Sequence, residues 1–490
     1  MVSFDFNDAV FTYMVGKRAH PLFKCNTAFD RWVISHTPRT QVIVAESDKG
    51  AVAVIGLCVD AHGEMRRTEI PHYLLKEGVQ GIQVLLKATK RLAGSYVILF
   101  FGEAGCFAVG DATCSVPVYY SIQPAEYCLS SCDELLRRAL NLPLSPRAID
   151  VRKNGSNTQP YPYDMSICDE VKALLPHHFL DLTRMQAIRS KQLPVQKEEM
   201  QLSEVIHETI EWTNHIVAEY AKYYQLICPL TGGWDSRLIL SFLKRNLEGI
   251  ECFTFKHPGF NDTTDDYYLP QVICANENIK HTIVPDEKAP QSYTSALEEV
   301  VGVYQSHGTI DLAYTYRKRF PQYAIINGNI IDQVGKSLIG NSLHKMFANT
   351  SFFTCKLHNY SKYTKIETQK QLREMKQTAP GEDYFDLFAI ESRCGRWAAQ
   401  TNMLYSLVGI DNLNIFNCEH VIALWRAIPR KLRRDKIIHQ RIFAELSPEL
   451  LKIPFNTSHK FSWMSQNAAL FFLATYVKAG SGYLHSKISR

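Results

Sequence analysis

Leu226-Ile227-Cys228-Pro229-Leu230-Thr231-Gly232-Gly233-Trp234-Asp235-Ser236-Arg237-Leu238-Ile239-Leu240 changes character twice within a few residues. Gln225 to Leu230 is short and apolar, which predicts a buried strand. Ser236 to Asn246 spaces its apolar residues for a helix. Between them lie two adjacent glycines flanked by hydroxyls. Gly232 and Gly233 let backbone amides approach an anion closely. The helix that follows directs the positive end of its dipole at the same point. Thr231 and Ser236 add hydroxyl donors. Asp235 would repel phosphate by itself and makes sense as a carboxylate that holds Mg²⁺. The competing reading is a plain strand-to-helix turn in which Asp235 and Ser236 cap the helix. The run fits neither GxxxxGK[ST] nor GxGxxG.

Outward from this turn, residues 196–490 alternate strand and helix. Glu251 to Lys256, His281 to Val284 and Tyr323 to Asn327 read as strands. Leu202 to Tyr224 and Tyr267 to Asn276 read as helices. That alternation predicts a parallel sheet with helices on both faces. From about 340 onward the pattern is mainly helical. Residues 1–195 are richer in strand signals: Gln41 to Glu46, Ala51 to Leu57, Ser95 to Phe101, Cys106 to Val109 and Val116 to Ser121. Helices are expected around His72 to Lys76 and Gly81 to Leu92. A polar segment, Gln192 to Met200, suggests the boundary between an α+β domain and an α/β domain.

The Thr231–Ser236 run resembles the SGGxDS pyrophosphate loop of the PP-loop ATP pyrophosphatases, in particular the asparagine synthetase family, with Thr231 in place of the usual Ser. The resemblance implies an N-terminal Ntn-hydrolase-like domain followed by an adenine-nucleotide α-hydrolase-like parallel-sheet domain with a helical C-terminal region. It implies ATP and Mg²⁺ as cofactors, with Leu230, Thr231, Gly232, Gly233, Asp235 and Ser236 around the triphosphate. A second loop of pattern GxGxDE is expected after a later strand. Ala324 to Gly335 (AIINGNIIDQVG) offers Gly328 and Asp332, with Asn329, Ile330 and Gln333 as departures. Asp332 then becomes the second Mg²⁺ ligand beside Asp235. Phe255, or Phe253, would face adenine, an ordinary core aromatic being the competing reading. Asp265 and Asp266 read as acids of a helix first turn. A late lysine beside the acyl-adenylate would be Lys460, with Lys452 in reserve. Glu391 and Arg393 would meet the substrate or pair with each other.

Val109 to Tyr120 resembles the family's RDxxGxxPLYY hairpin, and Phe416 to Val421 resembles its PFLD turn with Asn417 for Asp. Family glutaminases use a terminal cysteine exposed when Met1 is removed. Val2 stands there, and Cys25 would need an unusual cleavage, so glutaminase activity is expected to be absent. The resemblance therefore implies an AMP-forming amide ligase or cyclase that joins a small-molecule or peptide carboxylate to a substrate amine. It leaves room for a biosynthetic partner protein. Ammonia-dependent amidation, a tRNA-modifying PP-loop enzyme and a non-catalytic relative are the alternatives. The net charge of +5 is modest and spread along the chain, unlike the basic stripe of a nucleic-acid binder. Thirteen scattered cysteines without a CxxC pair read as buried thiols of a reducing compartment. With neither a signal-peptide pattern nor an apolar run of membrane length, a cytoplasmic chain without membrane contact is expected.

Overall fold

The computed structural model describes residues 3–155, 161–190, 201–257, 259–302, 307–335, 348–379, 384–456, 473 and 477. Among the described residues the first half carries twelve strands: β1 Tyr13–Gly16, β2 Cys25–Phe29, β3 Trp32–His36, β4 Val42–Ser47, β5 Gly50–Asp60, β6 Leu92–Gly102, β7 Gly105–Gly110, β8 Tyr119–Ser121, β9 Tyr127–Ser130, β10 Val171–Ala173, β11 His178–Asp181 and β12 Gln186–Arg189. They form two six-stranded antiparallel sheets, ordered β10-β8-β9-β1-β3-β2 and β12-β11-β7-β6-β5-β4. Period-2 geometry explains why β5 and β6 read as unbroken apolar runs. Ala51, Ala53, Ile55, Val97, Leu99 and Phe101 face inward between the sheets. Val52, Val54, Tyr96, Ile98 and Phe100 face outward under the helices Ile70–Gly78 and Ile82–Thr89. Both faces are buried, so no polar alternation is left to see.

The second half holds one parallel sheet: β13 Gln225–Pro229, β14 Glu251–Lys256, β15 Lys280–Pro285, β16 Tyr323–Ile326 and β17 Asn412–Leu413. Its order is β15-β14-β13-β16-β17, and every pairing is parallel. The sequence placed four of these strands to within a residue or two. It missed β17, a two-residue strand far along the chain. The structure is therefore mixed α/β with two antiparallel sheets and one parallel sheet. The expected boundary near 195 lies outside the described residues.

The helix Leu202–Ala221 links the halves. Its buried Val205, Ile206, Thr209, Ile210, Thr213, Ile216, Val217 and Tyr220 follow helical spacing, and Gln201 with Glu204 forms a capping box at its start. One apolar cluster takes in Leu57, Val59 and Ala93 from the sandwich together with Leu226, Ile239 and Ile326 around the parallel sheet. The halves also meet at the two turns singled out by resemblance. Buried Asn417 donates to Asp111 Oδ1 at 2.9 Å and to Ser115 Oγ at 3.1 Å, and accepts from Thr113 Oγ1 at 3.0 Å. Burial raises the Asp111 carboxyl, opposed by hydrogen bonds from Ser115, Asn417 and Thr113. A carboxylate at 417 would face Asp111 with like charge, whereas the amide supplies a donor.

All thirteen cysteines are free thiols, ten of them buried and Cys25, Cys106 and Cys355 partly so. Cys25 sits on β2 with its Cα opposite His36 of β3. Among the described residues no helix is long and apolar enough to cross a membrane.

Candidate functional site at the parallel-sheet switch point

Strand order reverses at β13, because β14 lies on one side and β16 on the other. A crevice outside the carboxyl ends of two such strands is where open parallel sheets bind ligands. The loops that leave β13 and β16 are the two singled out in the sequence. They touch: a Cβ built on Gly328 would lie 3.6 Å from Asp235 Cβ and 3.2 Å from Ile239 Cδ1.

The first loop is organised by its own hydroxyls. Thr231 N–H donates to Ser236 Oγ at 3.1 Å, and Gly233 N–H donates to Thr231 Oγ1 at 3.2 Å. The two hydroxyls lie 3.0 Å apart. The helix begins at Trp234 with Gly233 as N-cap and no side-chain cap. Asp235 and Ser236 do not cap it; the first-turn N–H groups keep the orphan donors of any helix start. Thr231 is exposed, and residues 233–236 are partly exposed. Leu230 is placed differently from expectation. Its side chain is buried, its N–H donates to Phe253 O at 2.8 Å, and its carbonyl accepts Thr254 Oγ1 at 2.8 Å. It supports the loop from below.

Gly232 is the position where the absence of a side chain matters. An added Cβ would meet the Asp265 carbonyl oxygen at 2.9 Å and Leu269 Cδ1 at 3.0 Å. The helix Asp265–Asn276 therefore abuts the loop. Asp265 and Asp266 do begin this helix, but Asp266 turns away from it and accepts the Gly232 N–H at 3.0 Å.

Two basic residues that the sequence reading passed over stand at Asp235. Lys436 Nζ lies 3.2 Å and His439 Nε2 3.0 Å from Asp235 Oδ1. Lys436 occupies the left-handed region at φ 60°, immediately before the helix Ile437–Leu446. That conformation costs on the order of 1–2 kcal/mol for a non-glycine residue. The i, i+3 spacing of Lys436 and His439 at a helix start was the available signal, since it puts both on one face.

The segment 450–456 is clamped onto the same loop. Arg237 is fully buried and donates to the carbonyls of Gly232 at 3.0 Å, Ile453 at 2.9 Å, Leu450 at 3.4 Å and also Pro454. Burial lowers its pKa to about 10, against the charge of Asp266, so it stays cationic at neutral pH. Phe455 lies between Trp234, stacked at 3.6 Å, and the Arg237 guanidinium at 4.2 Å. Asn456 N–H donates to Gly232 O at 2.9 Å. Lys460 falls outside the described residues, and Lys452 is exposed.

In the second loop, Asn327 Oδ1 accepts the Asn329 N–H at 3.2 Å and Asn414 Nδ2 at 3.0 Å, and Asn327 Nδ2 reaches Asn412 Oδ1 at 3.2 Å. The short helix Asn329–Val334 follows, with Asp332 Oδ2 accepting from Gln333 at 2.6 Å. Gln333, a departure from GxGxDE, thus engages the carboxylate it neighbours. Two carboxylates on touching loops suit Mg²⁺, which takes one or two carboxylates and fills its shell with phosphate oxygens and water. No group of three or more His, Cys, Asp or Glu side chains suited to a metal occurs among the described residues.

Glu391 is placed apart from the expected pairing. It is fully buried, and its carboxylate meets Arg189 through both terminal nitrogens and His177 Nδ1 at 3.4 Å. Burial would raise its pKa, but the Arg189 charge and the hydrogen bonds from His177 and Arg189 hold it at about 2. Arg393 instead lies over Trp397 at 5.5 Å. Both belong to a π-helical segment, Ile390–Ala398, packed on the Asp332 helix. Phe253 is buried against Phe320 and Tyr316, whereas Phe255 is partly exposed at the carboxyl end of β14 beside His257 and Tyr316.

No protein-family model matches the chain, and no curated protein sequence matches it.

Proposed function

We propose that the crevice between the β13 and β16 loops binds Mg·ATP, and that the protein uses it to adenylate a substrate carboxylate for capture by an amine. The observation that carries this reading is the coincidence of the glycine–hydroxyl loop with the one reversal of strand order in the parallel sheet. The N–H groups at the start of the Trp234 helix would face the phosphates. Lys436 would neutralise phosphate charge as Asp235 turns to the metal. Asp235 and Asp332 would hold Mg²⁺, which offsets charge on the departing pyrophosphate. Phe255 would flank the base. Lys460, which follows the clamped Asn456 in the chain, remains the proposed cation beside the acyl-adenylate. The bond broken joins the α and β phosphates, giving AMP and pyrophosphate. The proposed domains stay those of the resemblance, a glutaminase-like domain at 1–195 without its terminal thiol and a synthetase-like domain at 196–490.

A second reading has its own observation. Asp235 already sits between Lys436 and His439, and Asp332 is engaged by Gln333. These contacts favour a nucleotide-binding relative that performs no chemistry. Incubation with Mg·ATP and a panel of amino-acid and peptide carboxylates decides between them. Carboxylate-dependent AMP and pyrophosphate are expected, and ATP binding without either product would establish the second reading.

A further inference from the structure

Asp266 lies outside the metal, phosphate and base positions just described, yet three observations converge on it. It accepts the N–H of Gly232, the one loop glycine whose missing side chain admits a neighbouring helix. It also accepts from Asn456 Nδ2 at 3.3 Å, while the backbone N–H of Asn456 donates to the Gly232 carbonyl. The N–H of Gly232 is thus tied to the Asp266 side chain and its carbonyl to the Asn456 backbone, and Asp266 and Asn456 are tied to each other. Finally, the buried Arg237 guanidinium holds the same Gly232 carbonyl and supplies the positive charge that offsets the carboxylate.

An acid next to a phosphate site is costly unless it does something a neutral group cannot. Hydrogen bonds to an ionised acceptor are roughly twice as strong as neutral ones. Gly232 needs such a tether, because glycine gives its peptide the widest conformational range of any residue. Resting on the reading of the crevice as a nucleotide site, we propose that Asp266 is a positioning residue of the phosphate loop. Its carboxylate fixes the orientation of the Gly232 peptide and couples it through Asn456 to the segment 450–456. The N–H groups of residues 234–236 are thereby held in one orientation before an anion arrives, which reduces the ordering that binding must supply.

The test compares Asp266→Ala, Asp266→Asn and Asn456→Ala with the full wild-type chain, and uses Asp262→Asn, an exposed acid earlier in the same turn, as a control. The first readout needs no nucleotide: hydrogen exchange of peptides spanning 230–237. Asp266→Ala is expected to accelerate exchange there ~10-fold or more, at an unchanged melting temperature. Asp266→Asn, which still presents an acceptor to both donors but without the charge, is expected to restore only part of the protection. The second readout is affinity for Mg·ATP, expected to weaken ~10-fold in Asp266→Ala and to change little in Asp262→Asn. Unchanged exchange in Asp266→Ala overturns the proposal. So does an Asp266→Asn variant as damaged as Asp266→Ala. If Asp266→Ala melts early, Asn456→Ala carries the test, with partial acceleration at 230–237 expected and none contradicting it. Accelerated exchange in a protein whose wild type ignores Mg·ATP would leave the tether standing and remove the nucleotide reading.

Discussion

The loops that leave β13 and β16 meet at the reversal of strand order but are built by different means. The first is ordered internally by contacts within a few residues, Thr231 to Ser236 and Gly233 to Thr231, and is anchored from outside at Gly232, by Asp266 and Asn456. The second depends on partners more than eighty residues away, Asn412 of the edge strand β17 and Asn414 just after it, which hold Asn327. A loop made locally can be recognised as a short motif. A loop held by asparagines far along the chain carries no such local signature. The contrast also bears on chemistry. Asp235 accepts from Lys436 and lies 3.0 Å from His439 Nε2, and Asp332 accepts from Gln333. Asp235 lies on the run that departs from SGGxDS only at Thr231, whereas Asp332 lies on a run with three departures from GxGxDE, which makes Asp235 the stronger candidate ligand and Asp332 the weaker.

Substitutions can break that ranking. Asp235→Ala is expected to reduce pyrophosphate formation ~1,000-fold or more, about 4 kcal/mol. Turnover within ~10-fold of wild type would remove the metal role from the first loop.

Glu391, on the helix behind the second loop, should show its effect in stability. Glu391→Gln leaves the Arg189 guanidinium buried without a counter-charge and should cost about 3 kcal/mol of unfolding free energy, with Mg·ATP affinity little changed. The pH dependence has a definite sign. The folded pKa of about 2 lies below the ordinary 4.5 of a glutamate, so the stabilisation is complete above pH 4.5 and fades as the pH falls toward 2. The stability gap between wild type and Glu391→Gln should therefore narrow over that window in denaturant titrations. A gap that stays constant would show that the carboxylate charge is not what stabilises.

Asp332→Asn is expected to slow pyrophosphate formation ~10- to 100-fold, less than Asp235→Ala. Equal losses would make the loops equal partners, and no loss would leave Asp235 as the only protein ligand. Gly328→Ala presses a methyl group toward Ile239 and Asp235 at the seam between the loops. A two- to threefold rise in the Mg·ATP dissociation constant is expected, on the order of 0.5 kcal/mol. A much larger rise would mean that the seam is stiffer than the spacing indicates.

The same contrast explains what could be read from the chain. β13, β14, β15 and β16 announce themselves as short apolar runs between helical segments, and the first loop by its glycines and hydroxyls. β17 is two residues long and finds its neighbours only through the fold, so it has no periodicity to detect. Lys436 and His439 come to Asp235 from about two hundred residues away, a pairing that no local pattern encodes. Asp266 reads as a helix-capping acid because sequence shows its own helix and not the glycine that the helix abuts. Glu391 is expected near substrate only because its segment resembles the region that precedes the family's substrate pocket. Its side chain points to Arg189, in the other half of the molecule, a contact that no local pattern encodes.

Isothermal titration of the intact protein with ATP, with and without Mg²⁺, and of Asp235→Ala beside it, bears most directly on the crevice. Saturable one-to-one binding that needs Mg²⁺ and weakens at least ~10-fold in Asp235→Ala is predicted. No heat of binding at millimolar ATP, or binding indifferent to both the metal and Asp235, would contradict it.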